Sequence, residues 1–315
     1  MAFLRIEDAA RAALVELGLC CPKSFEPDRF HVVDAEDGKR GNGAGRIKVF
    51  ADGKGGYCQN WKTGERRSFF LDNDSNAKPL TKREGARIEH ARRKRQAEAA
   101  AKQNQAAKRA LSIWQDAKPA HEDHPYLVRK QIKPHGARLG RWRRVIDSQG
   151  GNRATLTIEN ALLLPLFDPS GTLRSLQAIF PAKHPVLERD KDFLPAGGLA
   201  GLFWWVGQRR NQPGETVLIA EGFATAATLH EQTGYRVYMA FTAGNLLAVG
   251  RIVRERLPSA NIVFTADNDT KTAGNPGLTK ATEAAAAVGG SVAVPPIHGD
   301  FNDYQLFLNG GGHVE

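Results

Sequence analysis

Cysteine is scarce in this chain, long apolar runs are missing, and acid is thin where base is concentrated. Only Cys20, Cys21 and Cys58 occur in 315 residues. Two of them are adjacent, so no disulfide framework is available. With His31 they do not fall into the short paired spacings of a zinc site, so zinc is not expected. No apolar stretch approaches the roughly 20 residues that span a bilayer, which excludes a transmembrane helix and a membrane partner. The opening MAFLRIEDAARAALVELG reads as an amphipathic helix over 1–18, stopping near Gly18 and before Pro22. It lacks the basic start and long apolar run of a secretory signal, so a cytoplasmic location is the expectation.

What is present is an ordinary globular composition, 41% hydrophobic and 25% charged, in a chain long enough for two or three domains. The net charge of +10 is unevenly spread. Residues 81–110 carry ten Lys/Arg against three Glu. Residues 127–144 carry Arg129, Lys130, Lys133, Arg138, Arg141, Arg143 and Arg144 with no acid. Each segment holds +7, leaving the rest of the chain net acidic. Base confined in this way points to a polyanion, nucleic acid first, although a helical charge run is as often a solvated face.

The pattern along the chain divides it into four. Residues 1–78 form a small β-rich unit, in which HVV, RIKVF and GYCQNW alternate between Gly, Asp and Asn turn signals. Residues 79–117 suit a long polar helix that connects domains rather than filling a core. Residues 118–212 turn β-like again, with ATLTI, ALLLPLFD and TLRSLQAIF. From 213 to 315 strands and helices alternate: TVLIAE, FATAATLHEQTG, RVYMAF, AGNLLAVGRIVRERLP, NIVFTAD, GLTKATEAAAAVGG, SVAVPP. That order predicts an α/β fold, a parallel sheet flanked by helices, behind a mixed α+β subdomain.

Acids sit where such a sheet gathers its ligands, at the carboxyl ends of strands. Glu221 ends the run VLIA, and Asp267 and Asp269 end IVFTA. Asp300 and Asp303, in HGDFNDY, follow the last strand. Alternation puts Asp267 and Asp269 on one side, so both can face one hard divalent cation. Singly, each acid is more often a cap or a turn residue. Two carboxylates so close also repel unless a cation neutralises them.

LIAEGFATAATLHEQTG, AFTAGNL and NIVFTADNDTKTAGNPGLTKATEAA together resemble the Toprim domain, most of all that of TraC-like plasmid and phage DNA primases. Glu221-Gly222 and Asp267-Asn268-Asp269 match the family's Glu-Gly and Asp-x-Asp. HPYLVRKQIKPHG, LLLPLFDPSGTLRSLQAIFP and KDFLPAGGLAGLFWWVG are similar to the subdomain preceding Toprim in bacterial-type primases. The resemblance implies RNA primer synthesis on a single-stranded DNA template from ribonucleoside triphosphates. Mg²⁺ or Mn²⁺ would be held by Glu221, Asp267 and Asp269, with Asp300 and Asp303 beside them. Lys191 and Arg174 would meet the triphosphate, and Lys271 and Lys280 are further phosphate candidates. The seven cations of 127–144 would track DNA. A replicative helicase and a plasmid, phage or other mobile-element setting belong to the same implication.

Two departures stand out. Gly197-Gly198-Leu199-Ala200 occupies the place of a second family lysine. The N-terminal unit, ending YCQNWKTGE, resembles the family's front domain without its zinc ligands, and its Tyr57 and Trp61 suit either base stacking or packing. A Toprim nuclease and a non-catalytic DNA-binding accessory protein are the rival readings.

Overall fold

Apolar periodicity changes three times along this sequence, and each change marks a different architecture. The computed structural model describes residues 5–36, 41–71, 82–147, 153–210, 212–272 and 274–312. The first residues of the N-terminal helix and residues 79–81 of the expected connecting helix lie outside them. Two compact units result, Met1–Gln96 and Ala97–Glu315.

In the first unit, apolar residues three and four apart give helix α1 (Ile6–Glu16) one buried stripe of Ala9, Ala10, Ala13 and Leu14. It covers a four-stranded antiparallel meander, β1 (Phe30–Val33), β2 (Gly45–Val49), β3 (Gly55–Asn60) and β4 (Arg66–Phe70). Period-2 alternation turns Val33, Ile47, Val49, Cys58 and Phe69 inward onto that helix. Burial pushes the Cys58 thiol up to about 11, so it behaves as a small apolar side chain. Trp61 stands 61% exposed, whereas Tyr57 is half-buried beside Phe30 with the Arg66 guanidinium 4.1 Å above its ring.

The helix α2 (Lys82–Asp116) is polar, as its composition predicts, yet its last turns enter the core of the second unit. Ala106 and Ala110 are fully buried there. Small side chains let a polar helix approach a sheet closely, which an argument from large apolar residues misses. That sheet is antiparallel, in the order β5 (Lys118–Pro119), β6 (Arg138–Asp147), β7 (Arg153–Phe167), β8 (Leu173–His184), β9 (Arg189–Phe193). The short helix α3 (Pro125–Lys130) lies between β5 and β6 in sequence.

A second sheet carries the βα repeats. Its order is β10 (Trp204–Val206), β12 (Arg236–Met239), β11 (Thr216–Ala220), β13 (Asn261–Thr265), β14 (Ser291–Ala293). All pairs are parallel except the edge pair β10–β12. Near-continuous apolar runs such as TVLIA and NIVFT are what a sheet covered on both faces requires. Helix α4 (Phe223–Thr233) packs into one core with Leu218, Ala220 and Met239. Helices α5 (Leu246–Arg256) and α6 (Pro276–Val288) pack on the other face against Val217, Ile219, Ile262 and Phe264. Helix α7 (Phe301–Asn309) ends the described chain. Among the described residues no helix is long and apolar enough to cross a membrane.

Gly250 sets how closely α5 approaches β13. A Cβ there would stand 2.6 Å from the Phe264 ring. Alanine in a helix normally gains about 1 kcal/mol over glycine, but crowding a packed core costs about 1–3 kcal/mol. Gly250→Ala is therefore expected to destabilise by about 1 kcal/mol or more, measured as a lower urea midpoint at unchanged m-value. An unchanged or raised midpoint would show that the Phe264 ring can move aside.

Candidate active site

The strand order decides whether the acids meet. β11 and β13 are direct neighbours, with Ala220 opposite Thr265, so Glu221 and Asp267 leave the sheet side by side, on strands about 4.8 Å apart. Asn268 is pinned: its side-chain nitrogen donates to the Pro295 and Ile297 carbonyls, and its backbone exchanges hydrogen bonds with Gly299. Asp267 and Asp269 flank that anchor. The Asp269 carboxylate accepts the Thr272 hydroxyl, and its N–H donates to Asn275 Oδ1.

Burial first, then the Asp267 charge, pushes the Glu221 carboxyl up to about 7, while Lys191 and the Ala243 backbone pull against the shift. Burial followed by Asp300 pushes Asp267 up to about 6, again opposed by Lys191. Asp303 and Asp269 add to the repulsion at Asp267. Oδ1 of Asp267 is buried with no hydrogen-bond partner. A carboxylate oxygen left bare among like charges is short of a cation. The donors are hard oxygens, which suit Mg²⁺ or Mn²⁺. Among the described residues no three His, Cys, Asp or Glu side chains close on one point. Mg²⁺ does not require that, since it commonly keeps waters and takes one or two carboxylates plus substrate phosphate. The residues fit such an ion.

The remaining expected acids have other partners as well. Asp300 caps α7, accepting the Asp303 N–H and the Thr225 hydroxyl, and Asp303 returns a bond to the Asp300 N–H. Asp303 also holds Lys130 at 3.0 Å. Their charges reach Asp267, but their oxygens are engaged in the capping box.

The expected cations divide. Lys191, on β9, is exposed and acts on both Glu221 and Asp267. Arg174 is tied to Asn104 of α2 at 2.8 Å, with Asp168 at 3.9 Å. Lys271 is exposed beyond the Asp-Asn-Asp turn, and Lys280 pairs with Glu283 on the surface of α6. The basic stretch 127–144 does not form one stripe. Arg129 donates to the Pro181 carbonyl and Arg138 to that of Trp114, while Lys130 belongs to Asp303. The Lys133 backbone N–H is held by Glu231, and Arg141 lies 3.8 Å from Glu159. Exposed Arg141 sits in a bulge between Gly140 and Trp142, and beyond it alternation sends exposed Arg143 to one face of β6 and Arg144 to the other, with buried Trp142.

Arg144 instead joins a cleft of about 620 Å³ lined by Arg144, Arg189, Lys191, Asp192 and the 193–199 loop. Buried Asp192 organises it, accepting the Trp142 indole N–H at 2.9 Å and pairing with Arg189 at 2.9 Å and Arg144 at 3.6 Å. Three cations against one acid leave the cleft positive. Sequence reasoning missed Arg189, although it sits two residues before Lys191 in a strand, a spacing that favours one face. Gly197 in the loop has a steric reason to be glycine. A Cβ at Gly197 would collide with the buried Ser175 hydroxyl.

Residues 216–307 match the Toprim family model, and this part of the chain is a Toprim domain. Over 92% of its length the chain is similar to DNA primase TraC from Escherichia coli, at 30% identity across 307 residues. A second Escherichia coli DNA primase TraC is 29% identical over 84% of the chain. The chain is thus TraC-like in sequence around a Toprim domain, but it spans only 26% and 17% of the lengths of those relatives. Among solved structures, the DnaG primase catalytic domain bound to single-stranded DNA aligns at 9% identity and a TM-score of 0.46, covering 67% of this chain and 77% of that one.

Raised carboxyl pKa values have a definite sign. The folded protein holds protons on Glu221 and Asp267 that the unfolded chain releases. Metal-free stability from these groups is therefore present below about pH 4 and lost as pH rises through about 6 to 7. Asp267→Asn is expected to raise the metal-free Tm by about 2–5 °C at pH 8 and to change it little at pH 4. Mg²⁺ or Mn²⁺ should stabilise the unsubstituted protein more at pH 8 than at pH 5.5, since the ion needs both carboxylates ionised. Calorimetry at the two pH values checks both, and a metal effect independent of pH would contradict the assignment.

Proposed function

We propose that this chain is the catalytic part of a DNA primase, joining ribonucleotides on a single-stranded DNA template by divalent-metal-dependent nucleotidyl transfer. The observation that carries the reading is the pairing of two halves. Glu221 and Asp267 stand as half-buried carboxylates raised by desolvation and by neighbouring acids, and the charge of Lys191, in a positive cleft, acts on both. Similarity to DNA primase TraC over nine-tenths of the chain supports it.

Glu221, Asp267 and Asp269 are the metal-binding and catalytic acids in this reading. Asp300 and Asp303 hold the surrounding negative potential and the start of α7. Ions bound there would activate the primer 3′-hydroxyl and offset charge on the leaving pyrophosphate. Lys191, with Arg189 and Arg144, binds the incoming triphosphate. Asp192 keeps the two guanidiniums in place, and rigid cations aimed at a phosphoryl group lower its barrier without reorganising. Arg143, exposed on β6, follows template phosphates together with exposed Lys133 and Lys271, and Arg141 joins them from its surface pair with Glu159. Arg129, Lys130 and Arg138 brace the framework that aims them. Trp61 offers an exposed ring to a template base. Expected partners are single-stranded DNA, ribonucleoside triphosphates and a replicative helicase. A cytoplasmic setting on a plasmid, phage or other mobile element goes with that chemistry.

Incubation with single-stranded DNA, labelled ribonucleotides and Mg²⁺ or Mn²⁺ should yield short labelled products. Asp267→Asn/Asp269→Asn should abolish them while leaving DNA binding within about threefold. Shortened template in place of labelled product would favour a Toprim nuclease, and binding with neither product would overturn the catalytic reading. Arg189→Ala should raise the nucleotide KM about tenfold, the worth of one charge-assisted phosphate contact of about 1.4 kcal/mol. An unchanged KM would remove Arg189 from the site.

A further inference from the structure

At the opposite end of the parallel sheet from the catalytic acids, cations outnumber the one buried acid, Glu215. Arg236 begins β12 opposite Val217 on β11, four residues before Glu221, which separates it from the acid end by about 13 Å along the strand. Its guanidinium lies over the Trp205 ring at 4.8 Å and the Tyr238 ring at 5.0 Å, on the edge strand β10 and its neighbour β12. Arg256, the last residue of α5, lies 5.8 Å over Phe203, and Arg210 lies 4.8 Å over Tyr235.

The local acid is already committed. Glu215 is buried and receives two bonds from Arg209, at 3.1 and 3.0 Å, and the Arg210 backbone N–H at 2.9 Å. Among the described residues no carboxylate comes within 4.0 Å of Arg210, Arg236 or Arg256. Nε of Arg236 is buried with no hydrogen-bond partner. Burial is the main influence disfavouring its charge, joined by Arg209 and Arg256, while Tyr238 and Glu215 offset it only in part. A half-buried guanidinium held flat by two rings loses hydration that the rings return only in part. The aromatic clamp fixes its orientation, so its donor edge is preorganised for an oxyanion.

We infer that Arg210, Arg236 and Arg256 form a second nucleic-acid contact of the Toprim domain, binding the phosphodiester backbone of single-stranded DNA remote from the acids. Phosphate fits better than carboxylate because Arg236 and Arg256 lie with rings of the α5 face and Arg210 with a ring of the α4 face, and a strand wrapping this end of the sheet brings phosphates in succession. Trp205 is only partly buried and adds a ring that a base can meet.

The test measures binding of a 20-nucleotide oligothymidylate to the full chain by fluorescence anisotropy, in EDTA and without nucleotide. It therefore does not depend on primase activity; Asp267→Asn/Asp269→Asn should bind normally even if it makes no primer. Arg210→Gln/Arg236→Gln/Arg256→Gln should raise Kd about tenfold or more at 0.1 M salt and lower the slope of log K against log salt by about 2. A charge-matched control, Arg5→Gln/Arg29→Gln/Arg67→Gln, should move Kd less than threefold. If the triple variant melts early, Arg210→Glu/Arg256→Glu leaves the clamped arginine in place and should show the same loss. Bromodeoxyuridine oligonucleotides should crosslink to Trp205 or Tyr235, read by mass spectrometry. Equal Kd and slope in variant and control, or crosslinks confined to other residues, would overturn the inference. So would loss of polyglutamate binding with DNA binding intact.

Discussion

Two partly desolvated carboxylates on neighbouring strand ends are the constraint around which the second unit is arranged. Glu221 and Asp267 end neighbouring parallel strands, so their separation follows from the sheet spacing and not from choice of rotamer. Burial raises both, Asp267 adds to the shift of Glu221, and Asp300, Asp303 and Asp269 add to that of Asp267. A protein tolerates such a pair where stability is surrendered for function. Lys191 relieves part of the cost from β9, a strand of the other sheet, and thereby ties the antiparallel subdomain to the Toprim acids. The ring contact of Phe193 with Phe241 at 6.3 Å sits two residues from that lysine and packs the two sheets together at this point.

Positive charge is distributed by a different logic. In the cleft, Asp192 spends its charge on orienting Arg144 and Arg189, so that fixed guanidiniums face outward. At the far edge of the Toprim sheet, aromatic rings perform the orienting and leave the guanidiniums without a carboxylate. The first arrangement suits a small, dense anion such as a triphosphate. The second suits an extended one, because nothing encloses the site. Along 127–144, several cations of the same sequence segment are consumed in holding carbonyls and one acid, and these serve architecture.

Much of the candidate site was legible from residue order. Apolar runs ending in Glu-Gly and Asp-Asn-Asp, with helical segments between, identified the strand ends, and the parallel sheet brought two of them side by side. The long polar helix was also readable, but not its penetration into a core, because Ala106 and Ala110 carry no amphipathic signal strong enough to outweigh the surrounding Lys, Arg and Gln. In the basic stretch, net charge does not tell which cations are held by carbonyls or an acid and which are exposed. Counting charge is blind to β-strand alternation and to the hydrogen bonds that retire a cation from binding.

Sequence by itself determined the local choices: where strands stop, which turns need glycine, and that the acids lie at carboxyl ends of apolar strands. These depend on neighbours a few residues away, which sequence displays directly. Only the tertiary structure decided which strands are adjacent, that Asp300 and Asp303 cap a helix while Asp267 is left bare, and that Arg144 and Arg189 share a cleft with Lys191. Those outcomes rest on burial and on electrostatic neighbours distant in sequence. The free energy of a charge is set by the groups and solvent around it in space.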